Sequence, residues 1–338
     1  MGVLFYMKKS LIKALVAASA ATIVISCAST KSASQSDSDK KTGAAKVLKV
    51  INTENKEPVK KTDTPADIYS KKIQGITLSS ESAPKETRAA KAFASPFVFK
   101  AVKEDGSALQ GLELTVNYPE AKTDGKISFG IASLTTDENG TVSFTSPVPT
   151  CSMDSEITVF PAGDVSDPEI AKKAAEVSVS VPYKVKTNKQ MAGGIIAIVD
   201  FNASGKPITN NSVSSSNLLM SLMNNGFKAI GNADFTTAIL QNDPAVVYKS
   251  AKTLLGNHSS YLIYGTVKYA APIEKKTDTN KYQLTLSGEL ICLNMKDGSI
   301  LTKTEKTVTV TEDKDWNCLP SARKLLAEAF TQTVLYGL

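Results

Sequence analysis

Residues 194–201 have the sequence Gly-Ile-Ile-Ala-Ile-Val-Asp-Phe, in which apolar side chains follow one another almost without interruption. A short run of this kind is typical of a β-strand that is buried on both faces of a sheet. A polar loop follows, and the apolar periodicity of residues 213–225 predicts a helix. Gly226 is suited to the left-handed residue that ends such a helix. These features predict an α/β domain over residues 192–338.

The rest of this segment alternates between predicted helices and strands. Asp243 and Pro244 have the residue types that start a helix, and Gly256 suits its end. The triplet Lys296-Asp297-Gly298 predicts a hairpin between the last two strands. The elements expected after Gly226 are a strand over 227–230, a helical turn over 235–240, a helix over 244–255, strands over 261–269, 283–293 and 300–310, and a helix over 322–336.

Residues 94–188 instead show short strand patterns at regular spacing, with turn residues between them. Such a pattern predicts a small antiparallel β-sandwich. Asp137-Glu138-Asn139-Gly140 predicts a tight turn, and residues 168–176 predict a short helical insertion. Residues 134–144 resemble a hairpin of bacterial immunoglobulin-like and carboxypeptidase-regulatory-like modules. That resemblance implies an Ig-like sandwich that spaces other parts of the protein or adheres.

Three phrases of the α/β segment have a characteristic order: Gly226-Phe227-Lys228-Ala229-Ile230, Tyr261-Leu262-Ile263-Tyr264-Gly265-Thr266-Val267 and Met295-Lys296-Asp297-Gly298-Ser299-Ile300. Together they resemble the fold shared by curli-secretion lipoproteins, the amino-terminal domain of the TolB translocation protein and the lipoproteins that activate peptidoglycan synthases. The resemblance implies a TolB N-terminal-like α/β fold and a function carried by protein–protein contacts in the envelope. The curli-type pore also needs membrane-inserting hairpins, and the sequence offers no spare alternating segments for them.

The amino-terminal residues have the pattern of an export signal. Lys8, Lys9 and Lys13 precede a mostly apolar stretch over 14–25, which is too short to span a bilayer as a helix. The stretch ends in Val24-Ile25-Ser26-Cys27, which resembles the bacterial lipobox. The resemblance implies a lipoprotein signal peptide over 1–26 and a diacylated Cys27. Two acyl chains hold a protein stably on a membrane.

Residues 27–93 are rich in Lys, Ser, Thr, Asp and Ala and contain few aromatic side chains. This composition buries too little apolar surface to offset chain entropy, so we expect a lipidated flexible tether. Short apolar patches, such as residues 73–78, leave room for local strands that dock elsewhere. The expected location is the face of a bacterial membrane outside the cytoplasm, with the outer membrane favoured over the inner.

The formal charge of +6 does not indicate a nucleic-acid-binding surface. Residues 1–95 carry a net charge of +8, and the remainder of the chain carries −2. The excess of basic residues therefore lies in the export signal and the polar stretch after it. Binding to nucleic acid commonly depends on a basic patch on a folded domain, so we expect no nucleic-acid partner.

Residues suited to catalysis or metal binding are few and scattered. His258 is the only histidine, so a catalytic triad or a histidine-rich metal site lacks its usual parts. Residues 202–206 fail as a phosphate loop because Asp200 and Pro207 replace its required glycine and hydroxyl residue. The charged residues 312–315, next to Trp316, are consistent with an exposed loop or the edge of a partner contact. We expect no catalytic residue, cofactor or metal.

The remaining cysteines are Cys151, Cys292 and Cys318. An odd number outside the cytoplasm leaves at least one free thiol or an intermolecular bridge. Cys292 shares the two-residue phase of the leucines on its strand, which predicts a position in the core. A Cys292–Cys318 disulfide and a pair of free, partly buried thiols both stay open, with the free thiols favoured.

The sequence as a whole predicts a membrane-anchored envelope lipoprotein that acts as a non-enzymatic protein-interaction module. An accessory function in cell-wall synthesis or envelope assembly is the leading hypothesis. The alternatives are a structural subunit of an oligomeric secretion apparatus and a surface adhesin that acts through the sandwich. The expected partners are membrane lipid, through acylated Cys27, and an envelope protein that the sequence does not identify. A homo-oligomer stays open.

Overall fold

Three β-sheets and six α-helices make up residues 63–338, the part of the chain that the computed structural model describes. The signal peptide predicted over 1–26, the lipid attachment predicted at Cys27 and the first part of the predicted tether lie outside these residues. Within the described part, none of the helices combines the length and apolar character that a transmembrane span requires.

Two of the sheets face each other across a shared core in the first half of the described chain. The three-stranded sheet has the order β1-β3-β6, and the five-stranded sheet has the order β2-β8-β7-β4-β5. The elements are α1 (Pro65–Ile73), β1 (Thr77–Ser82), β2 (Thr87–Arg88), β3 (Phe97–Val102), β4 (Glu113–Thr123), β5 (Lys126–Thr135), β6 (Thr141–Phe144), β7 (Met153–Pro161), α2 (Pro168–Glu176) and β8 (Val179–Lys186).

Alternating side chains build this core. On β3 every second residue is buried, so Phe97 and Phe99 point towards the five-stranded sheet. Val116 on β4 and Tyr183 on β8 contribute to the same cluster from the opposite side. Two-residue periodicity thus places one face of each sheet in a common apolar layer, where burial stabilises by about 25 cal/mol per Å² of apolar surface.

The tight turn predicted at residues 137–140 joins β5 to β6. Asp137 Oδ1 accepts hydrogen bonds from the backbone N–H groups of Asn139 and Thr141, at 2.9 and 2.8 Å. Gly140 has a φ of 71°, and a Cβ atom at this position would lie 2.4 Å from the carbonyl oxygen of Ala101. The turn therefore needs glycine for both its backbone conformation and the close approach of β3.

The second half of the described chain forms a mixed sheet with helices on both faces. Its strand order is β10-β9-β12-β13-β14, and β11 also pairs with β9; the contacts of β9 with β11 and β12 are parallel. The elements are β9 (Gly194–Phe201), β10 (Pro207–Ile208), α3 (Val213–Asn224), β11 (Ile230–Asn232), α4 (Thr236–Ile239), α5 (Pro244–Leu255), β12 (Tyr261–Lys275), β13 (Tyr282–Asn294), β14 (Ile300–Glu312) and α6 (Asp315–Gly337).

The near-continuous apolar run of β9 is explained by burial on both faces. Ile196 and Ile198 belong to the core under α3 and α6, whereas Ala197 and Val199 belong to the core under α4 and α5. The fold is thus mostly β-sheet with helices, as predicted at this level, and residues 194–201 form the strand expected from their sequence.

The tether prediction for residues 27–93 is wrong in its last part. Thr64 and Asp67 form a capping box that starts α1, and Tyr69 and Ile73 of this helix are buried in a cluster with Ile170 of α2. The Tyr69 hydroxyl donates to the carbonyl of Pro161 at 2.7 Å. A few well-placed apolar side chains are enough to dock this segment, although its average composition is polar.

Two element boundaries in the second half also differ from expectation. The strand predicted over 227–230 is instead Ile230–Asn232. Gly226 has a positive φ that ends α3, and the next side chain, Phe227, packs in the core before the strand begins. The last helix begins at Asp315 rather than at 322 and includes Pro320. Pro320 is the sixth residue of this helix and lies past its first turn, so the helix continues through a residue that lacks a backbone N–H donor.

We expect Gly140→Ala to lower the free energy of unfolding by about 2 kcal/mol or more, because it combines strain at positive φ with a backbone clash. Gly106→Ala is the matched control, since Gly106 has a φ of 79° and nothing within 4 Å of the added Cβ. Urea unfolding of the two variants checks this expectation. Equal losses in the two variants would show that the close approach at Gly140 contributes nothing.

Candidate functional site

The three cysteines within residues 63–338 are free thiols. Cys292 and Cys318 are both buried in the core under α6, and Cys151 is half-buried. In this structure Cys292 and Cys318 form no disulfide with each other. Burial raises the pKa of the Cys292 thiol to about 12 and also raises that of Cys318. Both therefore stay protonated and unreactive at neutral pH.

The other residues that the sequence offered as candidates for a functional site lie apart from one another. His258 is exposed in the loop between α5 and β12. Asp313 forms an exposed ion pair with Lys281 at 3.2 Å, and Trp316 is exposed under the ammonium of Lys314. No group of three or more His, Cys, Asp or Glu side chains among residues 63–338 is placed to hold a metal ion.

A buried polar cluster at the end of β9 was not predicted. The carboxylate of Asp200 accepts hydrogen bonds from the hydroxyl of Ser212 at 3.0 Å and from the hydroxyl and N–H of Ser214 at 2.5 and 3.2 Å. Ser212 also caps α3, since its Oγ accepts from the N–H of Ser215. Asp200 therefore fixes the start of α3 against the carboxyl end of β9, where a negative charge also suits the helix dipole.

Arg323 of α6 completes this cluster. Its Nε lies 3.5 Å from Asp200 Oδ1, and the side chains of Arg323 and Asp200 are 11% and 2% exposed. The Nε has no hydrogen-bond partner among the described residues, so the contact is an ion pair without a hydrogen bond at this nitrogen. The burial of both charges gives the cluster an architectural role. An acidic residue within an apolar strand, followed by a serine-rich helix start, was the signal available in the sequence.

The last turn of α6 contacts the five-stranded sheet of the first half. Lys122 Nζ donates to the carbonyl of Gly337 and Ser152 Oγ donates to that of Leu338, each at 2.6 Å. The N–H of Thr187 donates to the carbonyl of Leu335 at 2.7 Å. Burial lowers the pKa of Lys122. A helix end leaves its last carbonyl groups without hydrogen bonds inside the helix, and these three donors supply them. The hydrogen bonds therefore join the two halves at the end of α6.

Tyr336 adds a charged group to this contact between the last turn of α6 and the first half, which we call the α6 joint. Its hydroxyl donates to Glu86 Oε2 at 2.8 Å, and Glu86 pairs with Lys186 at 2.6 Å. The hydrogen bond from Lys186 is the main reason that the pKa of Glu86 lies below its usual value. The ammonium of Lys184 lies 5.2 Å from the centre of the Tyr336 ring. The joint thus combines backbone hydrogen bonds, an ion pair and a cation–π contact.

Exposed apolar side chains occur in both halves and mark the surfaces suited to protein contacts. On α3, Met220 and Met223 are 64% and 54% exposed, although the opposite face of this helix is buried. On β5, Phe129 and Ile131 are 48% and 71% exposed. Methionine and aromatic side chains are enriched in protein interfaces. The described part of the chain thus combines buried charges with exposed apolar side chains at its surface.

A comparison with family models found a match in the second half of the described chain. Residues 193–335 match the family described as TP0693-like lipoprotein, C-terminal domain. The match includes the mixed sheet from β9 to β14 and nearly all of α6. No curated protein matches the chain.

Solved structures similar to this chain include several lipoproteins. A PelC dodecamer from Paraburkholderia phytofirmans has 14% identity and a TM-score of 0.30, with 44% of this chain and 91% of that chain covered. Lipoprotein GNA1162 from Neisseria meningitidis has 14% identity and a TM-score of 0.26, with 42% and 97% covered. The LpoB C-terminal domain from Salmonella enterica has 16% identity and a TM-score of 0.19, with 35% and 84% covered.

We expect Asp200→Asn to lower the free energy of unfolding by about 3–5 kcal/mol, because it leaves the buried Arg323 charge unpaired. The matched control is Asp154→Asn, which removes an exposed ion pair with Lys184 at 3.7 Å and should cost less than about 1 kcal/mol. Denaturant unfolding measures both losses. If the two substitutions cost the same, the buried cluster does not hold α3 and α6 in place.

Proposed function

We propose that this protein is a bacterial envelope lipoprotein, acylated at Cys27, that acts through contacts with other proteins rather than through catalysis. The leading form of the proposal is an accessory of cell-wall synthesis or envelope assembly on the outer membrane. The folded part then serves as a rigid body that a lipid holds at a membrane face.

The observation that carries the proposal is the match of residues 193–335 to a lipoprotein family domain. The lipobox-like Val24-Ile25-Ser26-Cys27 lies far from this region in the sequence. Two separate parts of the chain therefore support the same class of protein. A diacylated cysteine supplies the membrane affinity that such a protein requires, because two chains bind a bilayer far more stably than one.

The finer assignment of the two halves is also part of the proposal. The paired sheets of residues 77–186 are proposed to be an Ig-like sandwich, supported by the hairpin that turns at Asp137 to Gly140. The mixed sheet is proposed to have a TolB N-terminal-like arrangement, supported by the strand and helix order from β9 to α6. Fold resemblance of this kind suggests a habitat and a mode of action rather than a chemistry.

The exposed side chains support protein–protein contact as the mode of action. The thiols of Cys292 and Cys318 and the charges of Asp200 and Arg323 are buried. The apolar side chains on α3 and β5 are instead available to a partner. Surface patches that combine apolar side chains with a polar surround are typical of protein-interaction sites.

We expect Cys27→Ser to abolish incorporation of a palmitate analogue and to release the full-length chain from the membrane fraction, because the acylated sulfur is its only proposed anchor. Cys151→Ser is the matched control and should stay labelled and membrane-bound. Metabolic labelling, followed by fractionation and mass spectrometry of the mature amino terminus, measures both properties. An unmodified mature terminus, or a Cys27→Ser chain that sediments with membranes as before, would refute the proposed anchoring.

A further inference from the structure

The free edges of the three sheets are not alike. A strand at the edge of a sheet exposes unpaired backbone groups, and proteins usually protect such edges with short strands, charges or proline. On the three-stranded sheet, β1 carries Glu81, and β6 has four residues. At the far edges of the other two sheets, β2 and β10 each have two residues, and β10 begins with Pro207.

β11, which also pairs with β9, has three residues. The last two edge strands, β5 and β14, are long, and only β14 carries charges along its length. β14 has 13 residues and includes Lys303, Glu305 and Lys306. β5 has 10 residues, and after Lys126 it contains neither a charged residue nor a proline. β5 is the last strand of the five-stranded sheet, so its outer edge has no partner strand within the described part of the chain. β5 is therefore a long, uncharged and unprotected edge.

The side chains on β5 are also those of a contact surface. Phe129 and Ile131 have the same two-residue phase and are 48% and 71% exposed, so both point away from the core. Between them, Gly130 leaves room for the Tyr118 ring, since a Cβ there would lie 2.7 Å from Tyr118 Cζ. Isolated exposed apolar residues are common, but two neighbouring ones on the same face of an edge strand are an unusual feature of a surface.

The hairpin turn sets which backbone groups of β5 face outward. Asp124 and Gly125 have φ values of 50° and 75°, as in a two-residue type I′ turn between β4 and β5. In such a hairpin the flanking pair, Thr123 and Lys126, exchanges hydrogen bonds. The odd-numbered residues of β5 then direct their N–H and C=O groups to the free edge. Phe129 and Ile131 therefore offer both backbone hydrogen bonds and apolar side chains.

We propose that β5 pairs in antiparallel fashion with the β5 strand of a second copy of this chain, so that the two five-stranded sheets become one continuous sheet. This inference rests on the proposed function, in which the protein acts by contact, and it names the partner. A twofold axis at Gly130 places Phe129 of one copy opposite Ile131 of the other. The pairing extends from Lys126 to Leu134 and brings no two like charges together.

Self-complementarity is the reason for choosing a second copy as the partner. A twofold contact uses the same patch on both subunits, so the patch must fit itself in shape and charge. The central residues of β5 meet this condition because they are uncharged and alternate between apolar and small side chains. One strand pair is a small interface, so we expect a dissociation constant on the order of 1 μM rather than 1 nM.

Two differently tagged copies of the full-length protein, co-expressed and solubilised in mild detergent, test this inference. We expect one tag to recover the other copy. Ile131→Lys should lower this recovery at least tenfold, because the pairing would bury an uncompensated charge beside Phe129 of the other copy. Ser133→Pro should lower it similarly, because it removes an outward N–H group without affecting the ladder with β4. Thr307→Lys, an exposed site on β14, is the matched control and should leave recovery unchanged.

Thermal unfolding of each variant shows whether the fold is retained, and a melting temperature within about 3 °C of the parent is expected for exposed edge positions. Recovery that persists in both β5 variants would overturn the proposal, as would recovery that Thr307→Lys abolishes equally. Capture of a different protein through β5, without self-recovery, would also overturn it. Because pairing is measured in detergent, these results are independent of whether Cys27 is acylated.

Discussion

The last turn of α6 is the point on which the arrangement of the described chain depends. A helix end leaves carbonyl groups unpaired, and burying them without partners costs free energy. Donors from Lys122, Ser152 and Thr187 meet the carbonyls of Leu335, Gly337 and Leu338. Lys122 lies on β4, Ser152 directly precedes β7, and Thr187 directly follows β8. The same helix covers the mixed sheet through Leu326 and Phe330. One helix therefore packs against both halves and joins them into one unit.

Polar groups near this joint hold helices in position. Asp200 and Arg323 tie the start of α3 and the middle of α6 to the end of β9. Glu86 and Lys186 tie Tyr336 to the first half of the chain. Charged groups that many proteins use for catalysis are used here to position helices. The β5 edge and the α3 methionines lie on the outer surface of this compact unit.

Local sequence signals predicted the elements whose stability is decided locally. The strand over 194–201, the helix that starts after Asp167 and the turn at Gly140 each depend on periodicity, capping or a positive φ, which are properties of adjacent residues. The docking of α1 was missed because it depends on Ile170 and Pro161, which are distant in sequence. The Asp200–Arg323 pair and the α6 joint are long-range contacts of the same kind. Edge protection likewise emerges only when the order of strands in each sheet is known.

Rigidity across the α6 joint is the central claim, and a distance measurement tests it directly. Spin labels on cysteines introduced at the exposed positions Glu156 and Thr307, in a full-length chain with Cys151 replaced by Ser, report on the two halves. Pulsed electron paramagnetic resonance should give a single narrow distance distribution, because hydrogen bonds to residues 335–338 fix one half against the other. A broad or multiple distribution would contradict the account, since it would mean that the two sheet-bearing halves move independently.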